Sequence, residues 1–234
     1  MTESTSTSNA PSTTSAPPVD LYREVHKGLR RALFEVVQCA GSLNADDADA
    51  VNSFQQLFAD LDMMLVTHHA HEDGPALASL IAQHANDIAA TVEAGHDDIE
   101  HELAQLRTMV ATLDTTSAPD VYDRLAEFTT AYLAHMNVEE RQVMPRLQAA
   151  ATNDELMAIT RTIRTSVPPP EMCVFLRSML PAMNPEERVS MLGGMKMGAP
   201  PEIFELFWGV AETNLSGSDL AAVASRIGVS TDRQ

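Results

Sequence analysis

The stretch VTHHAHEDGPAL, Val66–Leu77, places His68, His69, His71, Glu72 and Asp73 within six residues of a chain that has eight histidines in all. Imidazole nitrogens and carboxylate oxygens are the donors that borderline first-row metal ions take, and they are also groups that titrate or simply face solvent. A distant stretch, LAHMNVEERQVMPRL (Leu133–Leu147), repeats the key spacing: His135 and Glu139 are four apart, as His68 and Glu72 are. Residues four apart on an α-helix differ by roughly 40° around the axis. Each pair therefore projects from one face, and both members can reach a common point.

Four helical patterns position these residues. Tyr22, His26, Leu29, Leu33, Val36 and Ala40 form one face of a first helix, which Gly41 and Asn44 end. Asp46 or Asp47 caps a second, with Phe54, Leu57, Leu61, Leu65, His68 and Glu72 in phase, and Gly74-Pro75 stops or kinks it. Ile81, Ile88, Val92, His96, Ile99, Leu103, Leu106, Val110 and Leu113 read as one third helix, and Leu125, Phe128, Tyr132, His135, Glu139 and Val143 as a fourth. The expected fold is all-α, an up-down four-helix bundle over residues 19–150.

Every one of the four apolar stripes carries a histidine in phase, and two also carry a glutamate. The layout is an internal repeat: His26 to His96 spans 70 residues (96 − 26), and His68 to His135 spans 67 (135 − 68). Two hairpins, each giving one His and then a His-x3-Glu, meet about a pseudo-twofold axis. Taken singly, such histidines are ordinarily core or surface residues. Six titratable groups aimed into one core are different, since each buried without a partner costs several kcal/mol. Two divalent or trivalent ions bridged by Glu72 and Glu139, with His26, His68, His96 and His135 as terminal ligands, would neutralise the carboxylates and use the imidazole lone pairs. His with Glu suits iron, zinc or manganese, and the scarcity of cysteine argues against a structural zinc-thiolate site.

His26, His68-x3-Glu72, His96 and His135-x3-Glu139, in that order and with EERQVMPRL continuing the last helix, resemble the hemerythrin-like, or HHE cation-binding, family over roughly residues 20–150. The resemblance implies a four-helix bundle with a non-haem di-iron centre that binds, senses or reacts with O2, peroxide or NO. Two positions differ from the oxygen-carrying members. Glu100 stands four after His96, where they have a second histidine. Their last carboxylate lies five residues after its histidine, which corresponds to Glu140 and not to Glu139. Glu100 and Glu140 are thus further ligand candidates, as is His71, turned about 60° from His68. His69, turned about 100° from His68, reads as solvated, and His84 and His101 as surface residues. Tyr22 and Tyr132 share the inward face, either packing in the core or bonding to a metal-held oxygen. Two readings of another class stay open: a di-iron peroxidase or catalase-like oxidoreductase, and a non-redox cation-binding or iron-sensing module with an unknown protein partner.

Composition narrows the rest. The net charge of −18 opposes nucleic-acid and anionic-membrane partners, and no apolar run approaches the ~20 residues of a membrane span. No secretory signal is visible at the N-terminus, and the two cysteines, Cys39 and Cys173, fit a reducing compartment, so a cytoplasmic protein is expected. Residues 1–18, rich in Ser, Thr and Pro, are expected to be a disordered tail. Residues 151–234 read as a Met-rich helical appendage, with short helices near Glu171–Met183, Glu186–Met195, Glu202–Ala211 and Asp219–Ile227.

Overall fold

A computed structural model describes residues 18–230; the expected N-terminal tail lies almost wholly outside the described residues. Among the described residues there is no strand, and no helix is long and apolar enough to cross a membrane. The site-bearing helices are α1 (Arg23–Gly41), α2 (Ala48–Glu72), α4 (Asn86–Ala111) and α5 (Ala118–Val138), with a short α3 (Pro75–His84) between α2 and α4. Asp20 accepts from the amides of Tyr22 and Arg23 at the head of α1, and Asp47 accepts from those of Asp49 and Ala50 at the head of α2. Gly74 and Pro75 end α2 and start α3.

The third helix is not continuous. Ala85 takes φ −135°, so Ile81 belongs to α3, and the run from Ile88 to Val110 belongs to α4. After α5 the chain passes through a π-helical turn, Glu139–Val143, into α6 (Met144–Ala150). α1 packs on α2 and α5, and α4 packs on the same two, which closes a helical bundle. Gln55 bonds to the Val110 carbonyl at one end of the α2–α4 pair, and Glu72 meets His96 at the other, so these two helices are antiparallel.

Five further helices follow: α7 (Asn153–Ser166), α8 (Pro169–Ala182), α9 (Pro185–Gly198), α10 (Pro201–Asn214) and α11 (Gly217–Ile227). Their first residues, 153, 169, 185, 201 and 217, are each 16 apart. Each repeat is one helix and a short link, with inward positions at steps of 3-1-3, as in Met172, Phe175, Leu176 and Met179. Proline opens the middle three helices, where its missing N–H costs no helix hydrogen bond. Thr152 and Asn184 form capping boxes with Glu155 and Glu187. The sequence reading overlooked both the period and α7, whose only buried residue is Leu156.

α8 lies along α1, so Leu29, Leu33 and Val36 share one apolar core with Phe175, Leu176 and Met179. The approach depends on Gly28, since a Cβ there would sit 2.4 Å from Met179 Cγ and 3.3 Å from Met179 Cα. Gly28→Ala is expected to push α8 off α1 and destabilise the fold by about 1–3 kcal/mol. Urea unfolding checks this: a lower midpoint is the predicted result, and an unchanged or higher one removes the tight α1–α8 packing.

Candidate metal centre

Along each bundle helix the chemistry falls between two apolar layers. On α1 the order is Tyr22, His26, Leu29; on α2 it is Leu65, His68, Glu72, then Leu77 of α3. On α4 it is Val92, His96, Ile99, and from α5 onward it is Tyr132, His135, Glu139, Val143. Leu29, Leu65, Ile99 and Tyr132 belong to the central core, whereas Tyr22, Leu77, Val92 and Val143 belong to a second cluster completed by α6 and the start of α7. The polar layer is thus sealed above and below. His26, His68, His96, His135, Glu72 and Glu139 are all buried, Glu139 and His26 completely.

Two carboxylates organise the layer. Glu72 Oε1 is 3.4 Å from His68 Nε2, and its Oε2 is 3.3 Å from His96 Nε2. Glu139 Oε1 is 2.9 Å from His135 Nε2 and 3.5 Å from His96 Nε2, and its Oε2 is 3.4 Å from His26 Nε2. Each carboxylate therefore spans the gap between two nitrogen clusters, with His26 and His68 on one side and His96 and His135 on the other. These approaches lack hydrogen-bond geometry. Both oxygens of Glu72 and Glu139, and Nε2 of His96 and His135, have no hydrogen-bond partner among the described residues. Buried acceptors are rarely left so, and lone pairs that converge without a donor are what a cation satisfies.

Two donor groups result, one of His26, His68, Glu72 and Glu139, and one of His69, Glu72, His96 and His135. Within each, the ligand atoms all lie within 4.8 Å of one another. Donors ~2.1 Å from a shared ion lie at most ~4.2 Å apart, so a contraction of a few tenths of an ångström closes either group. The residues fit a pair of ions sharing Glu72.

His69 is a correction to the sequence reading. It is half-buried, stacks on His96 at 4.6 Å between ring centroids, and lies with its Nε2 3.2 Å from the Tyr132 hydroxyl. Neighbouring residues on a helix diverge by about 100°; here that divergence sends His68 to one donor group and His69 to the other. The adjacent pair of histidines was the signal. Glu100 is exposed and in neither group, as are His84 and His101. His71 bonds to Ser166 Oγ at 2.9 Å and also lies outside both groups.

Glu140 plays a different part. Its Oε1 accepts from His26 Nδ1 at 2.9 Å and from Arg30 at 2.7 Å. Asp73 Oδ1 lies 2.9 Å from His96 Nδ1 in the same manner. A carboxylate on Nδ1 fixes the tautomer and leaves the Nε2 lone pair aimed inward. Sequence reasoning assigned no role to Asp73 or Arg30, whose partners lie on other helices.

Protonation follows the crowding. Burial, then the charge of Glu139, pushes Glu72 well above the usual carboxylate range. Burial opposes the ionisation of Glu139, yet the His135 and His96 rings against it hold it well below that range. Burial and the neighbouring His26 ring push His68 well down, and burial with His96 and His135 lowers His69 to about 4. Burial also disfavours charge on His96, but contacts with Glu139 and Glu72 raise it to about 10.

A family model, the hemerythrin HHE cation binding domain, matches residues 17–147. The chain belongs to this family, a class of helical cation-binding proteins. No curated protein and no solved structure matches it.

Gly95 gives a direct test of the geometry, because a Cβ there would lie 2.5 Å from His135 Nδ1. Gly95→Ala displaces the ring without touching a donor atom, so metal content is expected to fall while the far-ultraviolet dichroism of the helices persists. Full metal content in the variant contradicts this placement of His135. His69→Ala removes one donor from one group only, so tightly held metal is expected to drop to about half. Retention of all of it would return His69 to the surface role read from the sequence.

Proposed function

We propose that this protein is a hemerythrin-like, non-haem di-iron protein that binds, senses or reacts with O2 or a related small molecule such as peroxide or NO. The observation that carries the reading is the placement of Glu72 and Glu139, each with two buried, unpartnered oxygens facing two separate nitrogen clusters. His26, His68, Glu72 and Glu139 would hold one ion, and His69, Glu72, His96 and His135 the other. Two carboxylates, of which Glu72 would be shared, and five imidazoles match the preferences of ferrous and ferric iron, and the same set accepts zinc or manganese. A bound iron pair supplies one-electron chemistry and coordination positions for a diatomic or peroxide ligand.

The chain's own residues do the rest. Glu140 and Asp73 hold the His26 and His96 rings in register. The apolar layers keep bulk water from the carboxylates. Tyr132 bonds to His69, so its hydroxyl is committed to positioning that ring. Tyr22 is buried beside the site with a hydroxyl that has no partner. Burial and the Glu72 carboxylate raise its pKa well above the ordinary phenol value, so it stays protonated as a hydrogen-bond donor. That donor favours the second reading, a peroxidase or catalase-like oxidoreductase, since a peroxide oxygen is a suitable acceptor.

The experiment is metal analysis with an absorption spectrum on protein grown with added iron, wild type beside His135→Ala. Close to two irons per chain and a near-ultraviolet absorption band, both lost in the variant, are expected. Zinc or manganese in place of iron overturns the redox reading, and no metal at all overturns the centre. Peroxide consumption by the same iron-loaded sample selects the enzyme, and a spectrum that changes reversibly with O2 selects the carrier or sensor.

A further inference from the structure

A cavity of about 100 Å³ lies where α7, α8 and α9 meet the site end of the bundle. His68 and Glu72 form part of its wall, together with Tyr22; the opposite wall is apolar, with Ile163, Val167, Phe175 and four methionines, Met172, Met179, Met191 and Met195. Half-exposed Glu24 and Arg164, joined by an ion pair at 2.5 Å, mark its solvent side. Methionine ordinarily fills irregular gaps because three rotatable bonds let it adapt, and an unfilled apolar space is destabilising. Four such side chains nevertheless leave this space open, against two of the metal-site residues.

The polar groups around the cavity are nearly all committed. Asp20 caps α1, Glu24 pairs with Arg164, His71 bonds to Ser166, and Thr160 donates to the Leu156 carbonyl. His68 Nε2 faces His26 Nε2 at 3.1 Å. Among the described residues that line the wall, only Tyr22 and Glu72 carry buried side-chain oxygens with no partner. A pocket that is apolar on most sides and offers one unsatisfied donor is the ordinary form of a small-molecule site.

We propose that this chamber binds a small, mostly apolar organic molecule with one oxygen acceptor, held by the methionine wall and by a hydrogen bond from Tyr22, against His68 and Glu72. Its size sets the class. At about 100 Å³ the chamber is smaller than the ~150 Å³ apolar cavity that accepts benzene, so a short branched chain of three or four carbons fits here, and a ring, a lipid or a nucleotide does not. The repeat helices thereby acquire a role at the site, since α7–α9 supply the apolar side of the chamber wall. Binding needs no ion; only the consequence, an organic substrate or effector placed at the metal pair, rests on the di-iron reading.

The test is a titration of the full chain, labelled with 13C-methyl methionine, by acetone. The Met172, Met179, Met191 and Met195 methyls, assigned by single Met→Leu variants, are expected to shift and saturate, while Met197, 86% exposed, does not move. Thr160→Phe places a ring in the chamber and is expected to abolish saturation. Tyr22→Phe is expected to weaken acetone about fivefold, the usual worth of one neutral hydrogen bond, and to leave isobutene, of the same shape without the oxygen, unchanged. Linear shifts with no saturation in the wild type, or Met197 moving with the four, overturn the site. Equal weakening of both ligands by Tyr22→Phe overturns the role of the hydroxyl. Titrations run before and after dialysis against a chelator, with metal measured on the same samples, separate the two readings. Saturation in protein that never held metal sinks the metal centre alone, and metal without saturation sinks the chamber alone.

Discussion

Two carboxylates buried in the same polar layer, each with both oxygens unpartnered, are the constraint on which the site and much of its surroundings depend. In water their charges would be screened; between two apolar clusters they are not, and desolvation alone costs several kcal/mol for each. That cost shows in the proton affinities of the layer, with Glu72 raised above the usual carboxylate range by burial and by Glu139, and His96 raised to about 10 by its contacts with Glu139 and Glu72. A pair of cations meets that cost, and each also uses the imidazole lone pairs. The folding free energy of a domain is only of order 10 kcal/mol, so a layer this crowded is coupled to whatever occupies it.

Details elsewhere follow from keeping that layer in register. The π turn at Glu139–Val143 adds a residue to the helix immediately at the site, which keeps Glu139 inward and turns Glu140 out to His26 and Arg30. Such insertions cluster at functional sites because they re-aim one side chain while the helix continues. Gly95 lets the α4 backbone pass against the His135 ring, and Gly28 does the same for α8 against α1. The break at Ala85 frees α3 to bring Leu77 and Ile81 over the end of the layer. The 16-residue array is a continuation of the bundle core, and its first three helices close the side of the site that α3 and α6 leave open.

Much of this was legible in the sequence because helical spacing is a strong signal. A His-x3-Glu pair on an apolar stripe identifies its own face, and four stripes in phase identify a common centre. That is why His26, His68, Glu72, His96, His135 and Glu139 could be named together. The errors have physical causes as well. A single-stripe reading assumes one target point, whereas two donor groups side by side subtend more than one stripe, so His69 was assigned to solvent. An i+4 or i+5 choice between Glu139 and Glu140 depends on the local helix period, which the π turn alters. Asp73 and Arg30 act through residues on other helices, beyond the reach of local spacing. The 16-residue period was concealed because its inward positions vary from Leu and Met to Phe and even Arg188, while only the helix starts stay regular.

The central claim is that two ions share Glu72 at the site end of the bundle. Anomalous diffraction from crystals of iron-supplemented protein, collected on both sides of the iron absorption edge, tests it most directly. The account predicts two peaks per chain, one among His26, His68, Glu72 and Glu139 and one among His69, Glu72, His96 and His135. A single peak, or two peaks outside this layer, would contradict it.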